Sequence, residues 1–222
     1  TINRFLEIIC GNDTTFKTDR TPMPFSDKRL INILSHTLWI LPDINSCYAM
    51  KKMLNNSNYT ILKNYKVNIY NDSQNMNLSD FVHFFTNDKF NSNTITLTDS
   101  IFPEYNILSQ FTGIFMLRNF SSPDEYFKTA LCIHETNTIL KENSYNSFIK
   151  PNCYIFEFDL NRAIKYILEF SKHLPHSTIN SNQNISTFLE HIPLIAYNGG
   201  ATRRYFEDDI ISNNFKSSRR EN

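Results

Sequence analysis

The stretch Gly113–Thr136, GIFMLRNFSSPDEYFKTALCIHET, decides the fold. Its first residues, GIFMLRN, form a short apolar run ending in Arg118 and Asn119, the pattern of a strand buried on both faces. A helix start comes directly after it. Ser122 is a capping residue, Pro123 suits the first helical position, and Asp124 and Glu125 oppose the helix dipole, with Glu125 at the capping-box position. This is a strand, a short turn and a helix, and the same order recurs on both sides of it.

Upstream, INRFLEIIC (2–10) has helical apolar spacing, and the polar, proline-punctuated GNDTTFKTDRTPMP links it to the next helix. Ser26 suits the cap of that helix, through DKRLINIL, with Leu30, Ile33 and Leu34 on one face. HTLWILP (36–42) is a continuous apolar strand. Asp43 then caps INSCYAMKKMLNN, whose Ala49, Met50, Met53 and Leu54 predict an inner stripe. YKVNIY (65–70) and TITLT (94–98) read as strands, LSDFVHFF (78–85) as a helix between them, and 99–111 as irregular. Downstream, CYIFEF (153–158) is a strand, and Asp159 caps a helix with Leu160, Ala163, Ile164, Ile167 and Leu168 expected inside. NISTFLEHI (184–192) predicts a shorter helix, PLIAYN (193–198) a last strand, and ISNNFKSSRREN a solvated tail. Strands alternating with helices along the whole length predict a three-layer α/β/α sandwich around a mostly parallel sheet. The expected partition is an N-terminal helix and linker at 1–20, one α/β domain at 21–200, and a fraying extension at 201–222.

The bulk numbers suit one such domain. The chain has 222 residues, 41% hydrophobic and 14% aromatic, with 22 Lys+Arg against 22 Asp+Glu. A formal charge of +0 sets up no global attraction to nucleic acid or membrane, so any polyanion site has to be local. No apolar run approaches the roughly 20 residues of a membrane span. The chain begins at Thr1 without a leader, which reads as an excerpt from a longer protein or a processed one. Cys10, Cys47, Cys132 and Cys153 lack CxxC spacing and mostly sit in apolar runs, so buried thiols in a reducing cytoplasm are expected rather than disulfides or zinc.

The blocks HTLWILPDINSCYAM, SNTITLT, GIFMLRNFSSPDEYFKTA, CYIFEFDLNRAIKYILEFSKHL and FLEHIPLIAYNG, in that order, resemble the second (C-terminal) RecA-like domain of superfamily-two DEAD/DEAH-type helicases associated with DNA restriction–modification. The resemblance covers roughly residues 20–200. It implies a RecA-like, P-loop NTPase-type fold and an ATP-dependent DNA helicase or translocase. It also implies a first RecA-like domain as partner, with a nuclease or methyltransferase partner beyond it. ATP and Mg are implied only when that phosphate-loop domain is paired, and no cofactor or metal is expected for this chain alone. In the first block the resemblance places motif IV, so Asp43, Asn45 and Ser46 stand where small polar groups and backbone N–H groups meet a phosphate. Helix capping by Asp43 is the rival reading. Arg118, Asn119 and Ser122 complete the implied nucleic-acid set.

Two departures from the family pattern matter. Motif V is a glycine-containing run in the family, whereas TDSIFPEYNIL (98–108) has Ser100 and Tyr105 at its glycine positions and Pro103 and Glu104 at its paired threonines. Glycine serves where backbone must approach a ligand closely, and tyrosine and glutamate oppose that. In the motif VI helix the family carries a glutamine and, four residues on, an arginine that reaches the γ-phosphate. YFKTALCIH puts Lys128 and Cys132 there, with His134 beyond. A cysteine supplies no fixed bidentate cation. The degenerate set Lys128, Cys132 and His134 therefore predicts no ATP hydrolysis by this chain alone. The alternatives are a non-enzymatic DNA- or protein-docking module and an eroding fragment of a helicase.

Other chemistry is poorly supported. No G-x-x-x-x-G-K-[ST] occurs. Cys132 and His134, two apart on a helix, point to different faces, which disfavours a nucleophile–base pair. His173 and His176 lack a third metal ligand. Trp39 reads as core, not as a stacking platform. Arg203, Arg204, Lys216, Arg219 and Arg220 make the C-terminal end locally basic, with Glu207, Asp208 and Asp209 between them. A solvated surface is favoured over phosphate contact there.

Overall fold

The computed structural model describes residues 2–10, 24–25, 28–71, 93–100, 111–132, 153–171, 194–198 and 201–205. In chain order these form α1 (Ile2–Cys10), α2 (Lys28–Ile33), β1 (His36–Ile40), α3 (Ile44–Asn55), a 3-10 turn (Leu62–Asn64), β2 (Tyr65–Tyr70), β3 (Asn93–Thr98), β4 (Gly113–Met116), α4 (Pro123–Cys132), β5 (Tyr154–Glu157), α5 (Leu160–Ser171), β6 (Leu194–Asn198) and β7 (Ala201–Tyr205). The expected helices at 78–85 and 184–192, the 101–110 segment, His134, His173, His176 and the tail from 206 lie outside the described residues.

Five strands form one sheet in the order β2-β3-β1-β4-β5, and every pairing in it is parallel. The strand sequences explain why. β1 (HTLWI) is buried at every position because it pairs on both edges and carries helices on both faces. Leu38 and Ile40 enter one core with Ile114, Met116, Tyr126, Ala130 and Tyr166. Trp39 and Leu41 enter the other with Leu6, Ile9, Cys47, Met50 and Leu54. Thus α1 and α3 cover one face and α4 and α5 the other. The chain is an α/β domain of three layers with a parallel sheet.

β3 (NTITLT) alternates like a half-solvated strand, yet its threonines are buried too. The His36 ring bonds Thr94 Oγ1 at 2.9 Å, which satisfies one of them. β4 begins at a glycine because it passes close to α2's end: a Cβ on Gly113 would lie 2.6 Å from Leu34 Cδ2. Trp39 is fully buried, stacks on Phe115, and donates from Nε1 to Thr37 Oγ1 at 3.1 Å.

Three sequence expectations need correction. The inner stripe of α3 is Cys47, Met50 and Leu54, at spacings of three and four, while Ala49 is exposed. Among the described side chains of α5 the buried residue is Tyr166; Leu160 is exposed and Ala163, Ile164, Ile167 and Leu168 are half-buried. Tyrosine moves inside because its hydroxyl finds backbone partners there. Finally, β6 is a strand as expected, but it pairs antiparallel with β7, a strand the sequence pattern does not announce, in a separate two-stranded sheet. Arg203 and Arg204 lie within β7.

Candidate functional site

In an open parallel sheet, ligands bind beyond the carboxyl ends of the strands, where connections leave adjacent strands toward opposite faces. Here that point lies between β1 and β4. The chain leaves β1 into α3 on the Trp39 face, and leaves β4 into α4 on the Leu38 face. The two strands are neighbours, held past their ends by Leu117 N–H donating to Ile40 O at 3.0 Å.

The β1–α3 turn carries Asp43, Asn45 and Ser46. Asp43 has extended backbone, and its carboxylate accepts from Ser46 N–H at 2.7 Å, so it caps α3. Asn45 is exposed and Ser46 half-buried. All three line an open groove of about 610 Å³, whose other walls are Phe5 of α1, Leu41, Pro42, Ala49, Met50 and Leu117. Leu117 directly precedes Arg118, so the groove touches both loops singled out from the sequence.

Arg118 is engaged inside the protein. Its Nε donates to Asn119 O at 3.2 Å, Nη1 to Asp99 O at 2.5 Å and Nη2 to Glu125 Oε1 at 2.9 Å. Its guanidinium also stands 5.4 Å from the Phe120 ring. Ser122 Oγ accepts from Glu125 N–H at 3.1 Å, the expected cap. The Glu125 carboxylate returns not to Ser122 but to Ser121, accepting from its N–H at 2.7 Å and from its hydroxyl. Asn119 is exposed, and its Oδ1 accepts from Arg162 Nη1 at 3.4 Å. Lys128 pairs with Asp124 one turn back at 2.8 Å, on a side chain 59% exposed. Cys132 is the last residue of α4. Asp43, Asn45 and Ser46 thus line the groove, Arg118, Asn119 and Ser122 follow Leu117 in the β4–α4 loop, and Lys128 lies farther along α4.

Sequence reasoning missed the residues that brace this edge. Arg162 of α5 pairs with Glu157 through Nε and Nη2, and Nη2 also donates to Met116 O at 2.7 Å. Burial opposes the Arg162 charge, but the hydrogen bonds and charge of Glu157 more than offset it and hold the guanidinium above its ordinary pKa. Burial, and then Glu157, push the Tyr126 phenol upward. Burial also lifts the Cys47 thiol to about 12, with Asp99 and Asp43 adding to it, so it stays protonated and unreactive. One sequence signal was available: an aspartate follows each of three strands, at Asp43, Asp99 and Asp159.

Among the described residues no cluster of His, Cys, Asp and Glu is arranged to hold a metal ion. No helix among them is long and apolar enough to cross a membrane. The chain is similar to a Mycoplasma pneumoniae protein named "Putative type II restriction enzyme and methyltransferase RM.MpnORF110P C-terminus", at 26% identity over 162 residues. The match covers 69% of this chain and 22% of that protein. No protein-family model matches the chain, and no solved structure matches it significantly. The chain is therefore an α/β domain distantly related to a restriction–modification protein.

Proposed function

We propose that this chain is the C-terminal RecA-like domain of a DNA helicase or translocase of restriction–modification type, that it does not hydrolyse ATP by itself, and that adding the phosphate-loop domain restores little hydrolysis. The parallel sheet, the placement of α3 and α4 on either side of the β1–β4 crevice, and the restriction–modification relative support the first part. The state of two cations on the β4–α4 segment supports the second. Arg118 is engaged through three nitrogens by internal acceptors, and Lys128 is tied to Asp124. In the resembled helicases an arginine at the position of Cys132 would contribute on the order of 10³–10⁵ in rate by neutralising charge on the transferring phosphoryl. A thiol offers no such cation. ATP and Mg would be held by a separate phosphate-loop domain, and the nuclease or methyltransferase activities named for the relative would belong to other segments.

Steady-state ATP hydrolysis, measured with DNA on the longest natural protein containing this domain, tests the reading. The expected result is turnover near background. Turnover at ordinary helicase rates that survives Cys132→Ala would overturn it.

A second reading, a non-enzymatic docking module on the same fold, is favoured by one observation. Among the described residues, the carboxyl edge of the sheet carries more carboxylates than cations, which suits a partner other than a phosphate backbone.

A further inference from the structure

The described loops after β1, β3, β4 and β5, with the helix turns they open, bring together Asp43, Asp99, Asp124, Glu125, Glu157 and Asp159. The cations on the same segments are Arg118, Arg162 and Lys128, paired with Glu125, Glu157 and Asp124, and Lys165, exposed as far into α5 as Lys128 is into α4. The remaining three acids have uncharged hydrogen-bond donors. Asp43 accepts from Ser46 N–H, Asp99 from the Ser100 hydroxyl, and Asp159 from Arg162 N–H. Among the described residues, six carboxylates against four cations leave a balance of −2, and exposed Arg4, beside Phe5 on α1, does not reverse it. Binding a nucleic-acid backbone needs the opposite sign, several unengaged lysines or arginines tracking phosphates.

The groove at this edge is apolar where the edge is acidic. Phe5, Leu41, Pro42, Met50 and Leu117 line its interior, and Asp43 sits on its rim. Phe158, 40% exposed, stands edge-on to Phe5 at 5.0 Å and extends the apolar surface outward. An open apolar groove beside a charged rim has the apolar centre and polar edge of a protein-binding surface, and it has ample room for a bulky side chain.

We propose that the groove between α1, the β1–α3 turn and Leu117 docks a protein segment presenting an aliphatic or aromatic side chain flanked by lysine or arginine. The inference rests on the docking-module reading and assigns its partner class. The apolar side chain fills the groove, and the flanking cations meet Asp43, Asp99 and Asp159.

The test is fluorescence anisotropy on the full chain at about 0.15 M salt. Three labelled probes are compared: a synthetic peptide with a central Phe-Leu pair flanked by lysines, the same peptide with glutamate for lysine, and a duplex DNA of about 20 bp. The lysine peptide should bind about tenfold or more tighter than either other probe. Ala49→Trp, on an exposed position lining the groove, should weaken it about fivefold or more at unchanged thermal stability. Asn45→Lys, also exposed, should weaken it by adding a positive charge beside Asp43 and should raise DNA affinity. The proposal falls if no peptide binds, if Ala49→Trp and Asn45→Lys both leave binding unchanged, or if the DNA binds tightest. ATP turnover in the longer protein would sink the proposed function without touching these binding results, so the two failures are distinguishable.

Discussion

The Tyr166 hydroxyl donates to the Phe120 carbonyl at 2.8 Å and accepts from the Phe120 amide at 2.9 Å, although 46 residues separate them. One buried side chain thereby satisfies both backbone groups of a loop residue. Tyr126 and Tyr166 both pack against the Phe120 ring. The β4–α4 loop is held from α5 by this contact and by Arg162. Tyr166→Phe keeps the ring and removes only the oxygen, leaving a buried donor and acceptor unpaired. The expected cost is about 1–3 kcal/mol in urea unfolding, with amide exchange accelerated at 118–122. Unchanged stability would mean the loop relaxes freely into solvent.

The Glu157–Arg162 pair makes a second prediction about the same loop. Both side chains are nearly buried, at 14% and 11% exposure, and Glu157 also accepts from Phe158 N–H at 2.7 Å and Asp159 N–H at 2.9 Å. Glu157→Gln strands the guanidinium and should destabilise by about 2–4 kcal/mol, below the fully buried case because solvent reaches the rim. Arg162→Lys should also lower the urea midpoint. An ammonium cannot reach Glu157, Met116 O and Asn119 Oδ1 together as the planar fork does.

Asp43 separates capping from phosphate contact. As the cap of α3, its replacement by alanine should cost about 0.5–2 kcal/mol, while Asp43→Asn should be near neutral, because asparagine also caps. Duplex DNA affinity should stay flat for Asp43→Asn. A marked rise on neutralising this one carboxylate, measured by salt-dependent titration, would place phosphate against the turn.

Much of this architecture was legible because the strands buried on both faces are continuous apolar runs and the helix starts carry side-chain caps. Asp43, Ser122 and Asp159 announce α3, α4 and α5 locally, and each forms the bond its position predicts. What stayed hidden depends on distant partners. Tyr166 looks like an outward residue between apolar positions until Phe120 is placed beneath it. Arg118 looks like a phosphate ligand until Asp99 and Glu125 arrive from a loop and a helix turn. The β6–β7 pairing was missed because it rests on Ala201–Tyr205, where Arg203 and Arg204 suggest a solvated end. The crevice residues were found from local pattern, but the acidic balance of the edge emerges only when four loops meet.

Cys47 gives the pH dependence. Its folded-state pKa, about 12, lies above the ordinary thiol value of 9.0, chiefly through burial. A raised acid pKa means the native state holds its proton while the unfolded state has lost it. The contribution is therefore fully present below pH 9 and is lost as pH rises toward 12. Stability should fall by about 1.4 kcal/mol per unit from this group between those limits. Cys47→Ala should lower stability at neutral pH by removing a buried side chain, yet flatten the slope between about pH 9 and 10, before most tyrosines ionise. Parallel urea midpoints for both proteins at about pH 8, 9 and 10 would expose an equal slope, which would assign the alkaline loss elsewhere.

Thr96 offers a stabilising change in the middle of the sheet. It is fully buried on β3, opposite Leu38 of β1 and Asn68 of β2. Among the described residues, its Oγ1 is the buried side-chain oxygen that lacks a hydrogen-bond partner. A hydroxyl desolvated without compensation costs about 1–3 kcal/mol. Valine keeps the β-branched shape that suits a strand and replaces that oxygen by a methyl group. Thr96→Val should therefore raise stability by about 1 kcal/mol, seen as a higher urea midpoint with an unchanged slope. His36→Ala supplies the contrast at the neighbouring threonine, because it strips Thr94 Oγ1 of its 2.9 Å ring partner and should destabilise. Loss of stability in Thr96→Val would mean the hydroxyl is satisfied in solution, and Thr94 and Thr96 would then be equivalent.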